Sequence, residues 1–298
     1  MTAVAWQTTG RSRSDERRGG VDGWRIWRRL RARKLALAGA AMLALIVISA
    51  ILAPVLAPYD PSTPDLFDML APPGPAHLLG TDQDGRDVLS RLLYGGRYSL
   101  GIGVGAALIS TVIGVTVGAV AGWRGGWVDN ALMRVVDLAL SVPALFLLLV
   151  LFSITGGASA AVIVVYLGLF GWMYMARIVR ARILTLKGLD FVQGARAIGA
   201  SPARIVLRHL LPNALGAIIV TTTLQIAYNM LAEAALDFLG YGVAAGTPTW
   251  GVMLNAAEQR LLDAPGLIIA PGLALTGAIL CVNLVGDGLR DALDPRQP

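Results

Sequence analysis

Charge is scarce in this chain. Only 15% of its 298 residues are charged, while 55% are hydrophobic, and the mean hydropathy is +0.64. Soluble domains carry about a quarter charged residues; a water-soluble globule of this composition would expose too much apolar surface. Cysteine is nearly absent. Cys281 stands alone inside an apolar run, which excludes an intramolecular disulfide and says nothing about redox compartment. The two histidines, His77 and His209, lie far apart in sequence and are expected on opposite sides of the topology. Hydrogen bonding suits them better than metal ligation. Lysine occurs only as Lys34 and Lys187, and neither follows a G-x-x-x-x-G-K-[ST] loop, so the chain is not expected to bind or hydrolyse ATP itself. A nucleophile elbow, an HExxH and a CxxC are lacking as well. No enzyme, resident cofactor or metal site is expected. The formal charge of +6 comes mainly from arginines beside apolar segments, where membrane topology accounts for them better than nucleic acid does.

What the sequence has is apolar runs. About 20 apolar residues cross a bilayer, and six stretches qualify, near Leu35–Ala57, Tyr98–Gly122, Val136–Thr155, Ser159–Met175, Ala214–Leu236 and Leu267–Val285. The fold class is therefore an all-α integral membrane protein with six transmembrane helices. The first run is too long for a signal-peptide core. Ten basic residues precede it, which predicts a cytoplasmic N-terminus, and six crossings return the C-terminus to the same side. Arg177, Arg180, Arg182, Lys187, Arg196, Arg204 and Arg208 face Asp190 alone in the loop between spans four and five. Asp60, Asp65, Asp68, Asp82, Asp84 and Asp87 outnumber Arg86, Arg91 and Arg97 in the loop after span one, which is read as outer.

The organisation predicted is a basic arm over 1–34, the first span with its outer loop over 35–97, a five-span core over 98–290, and a tail over 291–298. Trp24 and Trp27 among arginines suit a short helix lying on anionic lipid. Glycines of the second span, Gly114 and Gly118 among them, suit close helix approach. Pro143 and Pro271 are expected to kink their spans, and Asp137 to pair with Arg134. Glu233, near the outer end of span five, is a functional candidate as an intramembrane acid; a polar contact with Asn229 or a neighbouring helix is the alternative.

The outer loops are more specific than topology requires. The stretch from His77 to Arg91 packs carboxylates, glycines and arginines, with Asp82, Arg86 and Asp87 prominent. Asp82, Asp84 and Gly85 look like an EF-hand fragment, but the terminal Glu and ligand spacing are missing; internal Asp–Arg pairs are expected instead. In 237–265, Met253, Leu254, Ala257 and Leu261 recur at helical spacing. That helix either lies on the membrane, anchored by Trp250, or caps a pathway.

One inner stretch stands apart: Phe191–Asn213, FVQGARAIGASPARIVLRHLLPN. Gly199 interrupts one short helical run and Ser201-Pro202 opens another, with Ser as N-cap and Pro at the first helical position. Ile205, Val206 and Leu210 share one side of that second run, Arg204 and Arg208 another. Pro212 is expected to end it. Two short helices meeting at an angle suit docking of a soluble partner; an interfacial hairpin with its arginines among headgroups is the other reading.

The order Gln193-Gly194-Ala195, Gly199, Leu211-Pro212 resembles the coupling loop of ABC importer permeases, where Glu-Ala-Ala is usual. Here the glutamate is replaced by Gln193, and Gly194 loosens the helix by roughly 1 kcal/mol relative to Ala. Leu79-Gly-Thr-Asp…Gly85-Arg-Asp-Val-Leu-Ser-Arg91, Phe238-Leu-Gly-Tyr-Gly242, Pro248-Thr-Trp-Gly251 and Asn283-Leu-Val-Gly-Asp-Gly-Leu-Arg-Asp-Ala-Leu-Asp-Pro295 are similar to the dipeptide/oligopeptide/nickel importer group, and more narrowly to its C-type membrane subunit. The resemblance spans about Leu35 to Pro295.

It implies an importer half-pathway built with a second permease. Two cytoplasmic ATPases that hold the ATP and Mg are further partners, with an extracytoplasmic substrate-binding protein and membrane lipid. It also implies coupling through Gln193, Gly194, Ala195, Gly199, Ala200, Ser201, Arg204, Ile205, Arg208, Leu211 and Pro212, with Ile205 and Leu210 as apolar docking groups. Asp82, Arg86, Asp87, Trp250 and Glu233 are then outer-gate or binding-protein contacts. Peptides rank above nickel as cargo, because no His/Cys/Met cluster is present. An ion-driven secondary transporter would call for inverted repeats and charged pathways, which the sequence lacks apart from Glu233; a passive anchor would not account for the elaborate outer loops.

Overall fold

The computed structural model describes residues 33–155, 159–243 and 246–293; the basic arm with Trp24 and Trp27, and the last residues of the tail, lie outside them. The described residues form helices and connecting loops. The long apolar helices are α1 (Lys34–Ile51, extended by the short α2, Ala53–Leu56), α3 (Val88–Arg124), α6 (Ala160–Lys187), α9 (Leu211–Phe238) and α11 (Gly266–Leu293). Between α3 and α6 lie α4 (Gly126–Leu140) and α5 (Ala144–Thr155), bent by 71° at the break and together long and apolar enough for one span. The six expected spans are present when this pair is taken as one. Pro143 does more than kink its span. It sits in the break itself, as a residue without a backbone N–H would. Pro271, by contrast, is accommodated inside an unbroken α11.

Glycine sets how closely the bundle packs. A Cβ at Gly114 would lie 2.7 Å from Trp172 O, and one at Gly118 2.5 Å from Ala176 O, so α3 and α6 touch backbone to backbone. Gly103 makes room on α3 for the Met230 side chain of α9, whereas Gly101 faces nothing within 4 Å. Small residues at four-residue spacing replace the hydrophobic drive that lipid cannot supply.

Buried polar contacts run along the α3–α9 seam. Thr111 and Thr222 hydroxyls are 2.8 Å apart, Gln225 Nε2 donates to Asn229 Oδ1 at 3.0 Å, and Asn229 Nδ2 donates to Gly103 O at 3.3 Å. Arg33, just before α1, pairs with Asp291 near the end of α11 at 2.9 Å, so the chain enters and leaves the bundle at one end. Asp137 pairs with Arg177 of α6, at 2.5 Å, rather than with Arg134 as the spacing predicts. The α4–α6 contact brings Arg177 to the carboxylate across the helix interface.

Candidate functional site

At the end of the bundle where α1 starts and α11 finishes, residues 188–213 form an elbow. Its first arm is α7 (Asp190–Ala197), with Asp190 in the first turn, where a carboxylate complements the helix dipole. The arm ends in a Schellman motif. Gly199 N–H bonds to Arg196 O at 2.9 Å, and Ala200 N–H to Ala195 O at 3.0 Å. Gly199 takes φ +82°, a conformation that disfavours a side chain, so the glycine is required by the turn itself. Ala195 belongs to the buried cluster beneath it, and Ala200 packs against that cluster. Ser201 caps the second arm, accepting from Arg204 N–H at 3.4 Å, with Pro202 at the first helical position.

The second arm is not a separate helix. The turn α8 (Pro202–Ile205) passes into a π-helical turn at Val206–Leu210 and straight on into α9. Pro212 does not terminate it. A proline inside a helix lacks a donor and collides with the carbonyl four residues back. Here one wider turn absorbs that misfit: Leu211 N–H reaches back five residues to Val206 O, and Pro212 falls in the first turn after it. Arg204 and Arg208 are thus on the first turns of a helix that crosses the whole bundle.

Burial revises the list of contact residues. Ile205 and Leu210, expected as docking groups, are 1% and 0% exposed; they pack with Val179 and Ile183 of α6 and Val192 of α7. Their work is to hold the elbow against its own spans. Gln193, Gly194, Gly199, Ser201, Arg204, Arg208 and Pro212 are exposed, and Ala200 and Leu211 half-buried. Of the apolar side chains the elbow presents outward, Leu207 and Phe191 among them, Ile198 is the most exposed, at 86% beside the turn glycine, and composition and spacing had not singled it out.

Trp123 was also missed. It ends α3, and Arg196 stacks over its ring at 4.7 Å while Lys187 Nζ lies 5.4 Å from the ring centre and donates to Trp123 O. The Lys187 carbonyl in turn accepts from Gln193 Nε2 at 3.4 Å. Its partners come from α6 and α7, which no spacing within α3 reveals.

The opposite end is a folded cap. Asp82 accepts from the backbone N–H groups of Asp84 and Arg86, both at 2.9 Å, and from Arg86 Nε at 3.0 Å; Arg91 Nε stands 3.4 Å away. Asp87 caps α3 by accepting from Ser90 N–H at 2.7 Å and lies 2.9 Å from His77 Nδ1. A Cβ at Gly85 would sit 1.7 Å from Asp65 O, so the loop closes on itself there. The expected Asp–Arg pairs are present. With Asp82 and Asp87 buried and their oxygens committed, they shape the cap rather than present a contact surface, and Arg86 is held between Asp82 and Asp84.

Trp250 is likewise not an interface anchor. It is 2% exposed, opening α10 (Trp250–Glu258), and its Nε1 donates to Leu92 O at 3.0 Å. The helix predicted there packs on α9 and α11 through Met253 and Leu254, instead of lying on a membrane surface. Glu233 is fully buried; its Oε1 accepts from Ser99 Oγ at 3.3 Å, and Trp250 N–H donates to the same hydroxyl. Its contact is therefore with α3, not with Asn229. One turn on, Asp237 accepts from Val243 N–H at 2.7 Å and from the Thr249 hydroxyl, so α10 is tied into the bundle by two buried acids.

Sequence comparison places these elements. The model for binding-protein-dependent transport system inner membrane components matches residues 114–297, and that for the N-terminal transmembrane domain of oligopeptide transport permease C matches 23–73. The dipeptide transport system permease protein of Bacillus subtilis (strain 168) is 40% identical over 91% of this chain and 84% of its own. The oligopeptide transport system permease protein of the same organism is 39% identical over 90% and 88%. A glutathione transport system permease protein of Pectobacterium atrosepticum is 38% identical over 92% and 91%. With an elbow at one end, a folded cap at the other and six spans between them, this multi-pass membrane chain belongs to the family of binding-protein-dependent transport system inner membrane components, the permease subunits of ABC importers.

Proposed function

We propose that this chain forms half of the pathway of an ATP-driven peptide importer and that the elbow at 188–213 receives the force. The observation that carries the reading is the continuity of the second arm with α9: an object pushing on Arg204 and Arg208 pushes on a helix reaching Phe238 at the far end. Two ATPases dock on this elbow and on that of a second permease, with Ile198 and the exposed arginines as the meeting surface. The termini and the elbow lie in the cytoplasm, in keeping with the arginine-rich loop between spans four and five. The cap containing Asp82 and Asp87 faces a substrate-binding protein outside. ATP and Mg stay with the ATPases. Nucleotide binding drives transport only if it favours one arrangement of the spans over the other, and the elbow makes the spans feel the approach of the ATPases.

Peptides are the proposed cargo. The relatives named for dipeptide, oligopeptide and glutathione transport support this choice. The complex purified from its host in mild detergent tests the reading: it should contain a second permease and two ATPase subunits or domains, and take up a dipeptide with its binding protein and ATP. Uptake of nickel but not peptide would move the assignment within the family. Uptake driven by an ion gradient without ATPases would overturn it.

A further inference from the structure

We propose that Trp123 is the positioning residue that locks the coupling arm α7 to the spans, through a clamp made with Arg196, Lys187 and Gln193. The inference rests on the coupling role given above to the elbow and names the contact through which α7 holds α3 and α6.

Two hydrogen bonds and two cation–π contacts converge on one corner. Gln193 and Arg196 are three apart on α7 and so share a face. Gln193 Nε2 donates to Lys187 O at the end of α6, and Lys187 Nζ donates to Trp123 O at the end of α3. The Arg196 guanidinium lies over the indole at 4.7 Å, with the Lys187 ammonium 5.4 Å from the same ring. Two cations sharing one aromatic ring is a costly arrangement unless the ring's negative face is in use, and indole supplies the strongest such face among side chains. Beneath it, Trp123 packs against the buried cluster of Val192, Ala195 and Ile183. The chain carries only two lysines, and one stands here.

The clamp joins α7 to a unit that is already stiff, because Gly118 and Gly122 bring α3 and α6 into backbone contact just before Trp123 and Lys187. It also gives Gln193 a use that a glutamate would not serve. An amide N–H can donate to the Lys187 carbonyl, whereas an ionised carboxylate only accepts. A displacement of α7 then moves the ends of α3 and α6 with it, while the second arm moves α9. Without the clamp, α7 would be held chiefly by Val192 and Ala195 and would shift before the spans followed.

The test uses the complete transporter in proteoliposomes, with Trp123→Ala, Trp123→Phe, Arg196→Gln and Arg196→Lys. Peptide taken up per ATP hydrolysed is read beside ATPase rate, and spin labels at Ala197 and Asn130 report the distance from α7 to the start of α4. Trp123→Ala and Arg196→Gln should each lower uptake per ATP by roughly three- to tenfold, the change expected from losing a partly exposed cation–π contact and its packing. Both should broaden the label distance. Trp123→Phe and Arg196→Lys should restore most of the loss, and the double variant Trp123→Ala/Arg196→Gln should be no worse than either alone. Arg196 is exposed, so Arg196→Gln remains informative even where Trp123→Ala fails to assemble. Unchanged uptake per ATP in Arg196→Gln, or additive losses in the double variant, would overturn the clamp while leaving the coupling role intact. If uptake by the unaltered complex needs no ATPase at the elbow, the coupling role itself falls.

Discussion

Asp129 of α4 accepts from both Nε and Nη2 of Arg180 on α6, at 2.5 and 2.6 Å, across 51 residues of sequence. The fork geometry pins the start of the broken span to the helix that leads into the elbow. Asp129 is nearly buried, and Arg180 about one-third exposed, so solvent screens part of the pair. Asp129→Ala is expected to cost about 1–3 kcal/mol, since it leaves a charged partner without its acceptor. Thermal unfolding of the purified complex checks this: the melting temperature should fall for Asp129→Ala and recover partly in Asp129→Leu/Arg180→Met.

Gly118→Ala tests the close approach of α3 and α6. Its methyl would meet Ala176 O at 2.5 Å, so the backbones must separate, at about 1–3 kcal/mol. Gly101→Ala is the matched control, because nothing lies within 4 Å of its Cβ position. Yield and melting temperature in detergent should drop for the first variant and stay level for the second. Equal behaviour of the two would mean that the glycines are there for composition alone.

Glu233→Gln should leave transport near its normal level, because an amide oxygen can still accept from Ser99, and should shift stability by less than about 1.5 kcal/mol. Glu233→Leu removes the acceptor for Ser99 and is expected to loosen α10, which shares that hydroxyl through Trp250 N–H. Limited proteolysis between residues 238 and 250 reads the loosening. Loss of uptake in a stable Glu233→Gln protein would show that the carboxyl is needed for itself.

Gly199→Pro probes the turn. Proline fixes φ near −65°, and the motif needs +82° here, so the two arms cannot keep their angle. The protein should still reach the membrane, since the spans are untouched, while uptake and the stimulation of ATPase by the binding protein are lost. A cysteine at Ala203 should react only with reagents on the cytoplasmic side and one at Thr247 only from outside; native Cys281 is buried.

Much of this was legible because lipid demands long apolar runs. Leu35, Tyr98, Ala214 and Leu267 fall within or at the edge of the observed spanning helices, and Ser201-Pro202 and Gly199 announced the elbow's turn and cap. Readings went astray where a residue's local preference does not reveal what its surroundings do with it. Pro212 reads as a helix stop, yet a π turn absorbs it. Of the two readings open for Trp250, interface anchoring fails, because Ser99 and Leu92 of α3 bond to it and it is buried. Ile205 and Leu210 read as a docking face, yet α6 and α7 already cover it. Asp137 chose Arg177 over Arg134 because the partner came from another helix, 40 residues on. The glycine pattern foretold the close contact of α3 with α6; it did not reveal Trp123, whose partners are assembled only when α3, α6 and α7 meet.

The most direct measurement is contact at the elbow's outermost apolar residue. A photo-crosslinking amino acid placed at Ile198, in the intact complex, should form an adduct with an ATPase subunit, and the adduct should block uptake. A complex that transports peptide while Ile198 crosslinks only to lipid, or to nothing, would contradict the account.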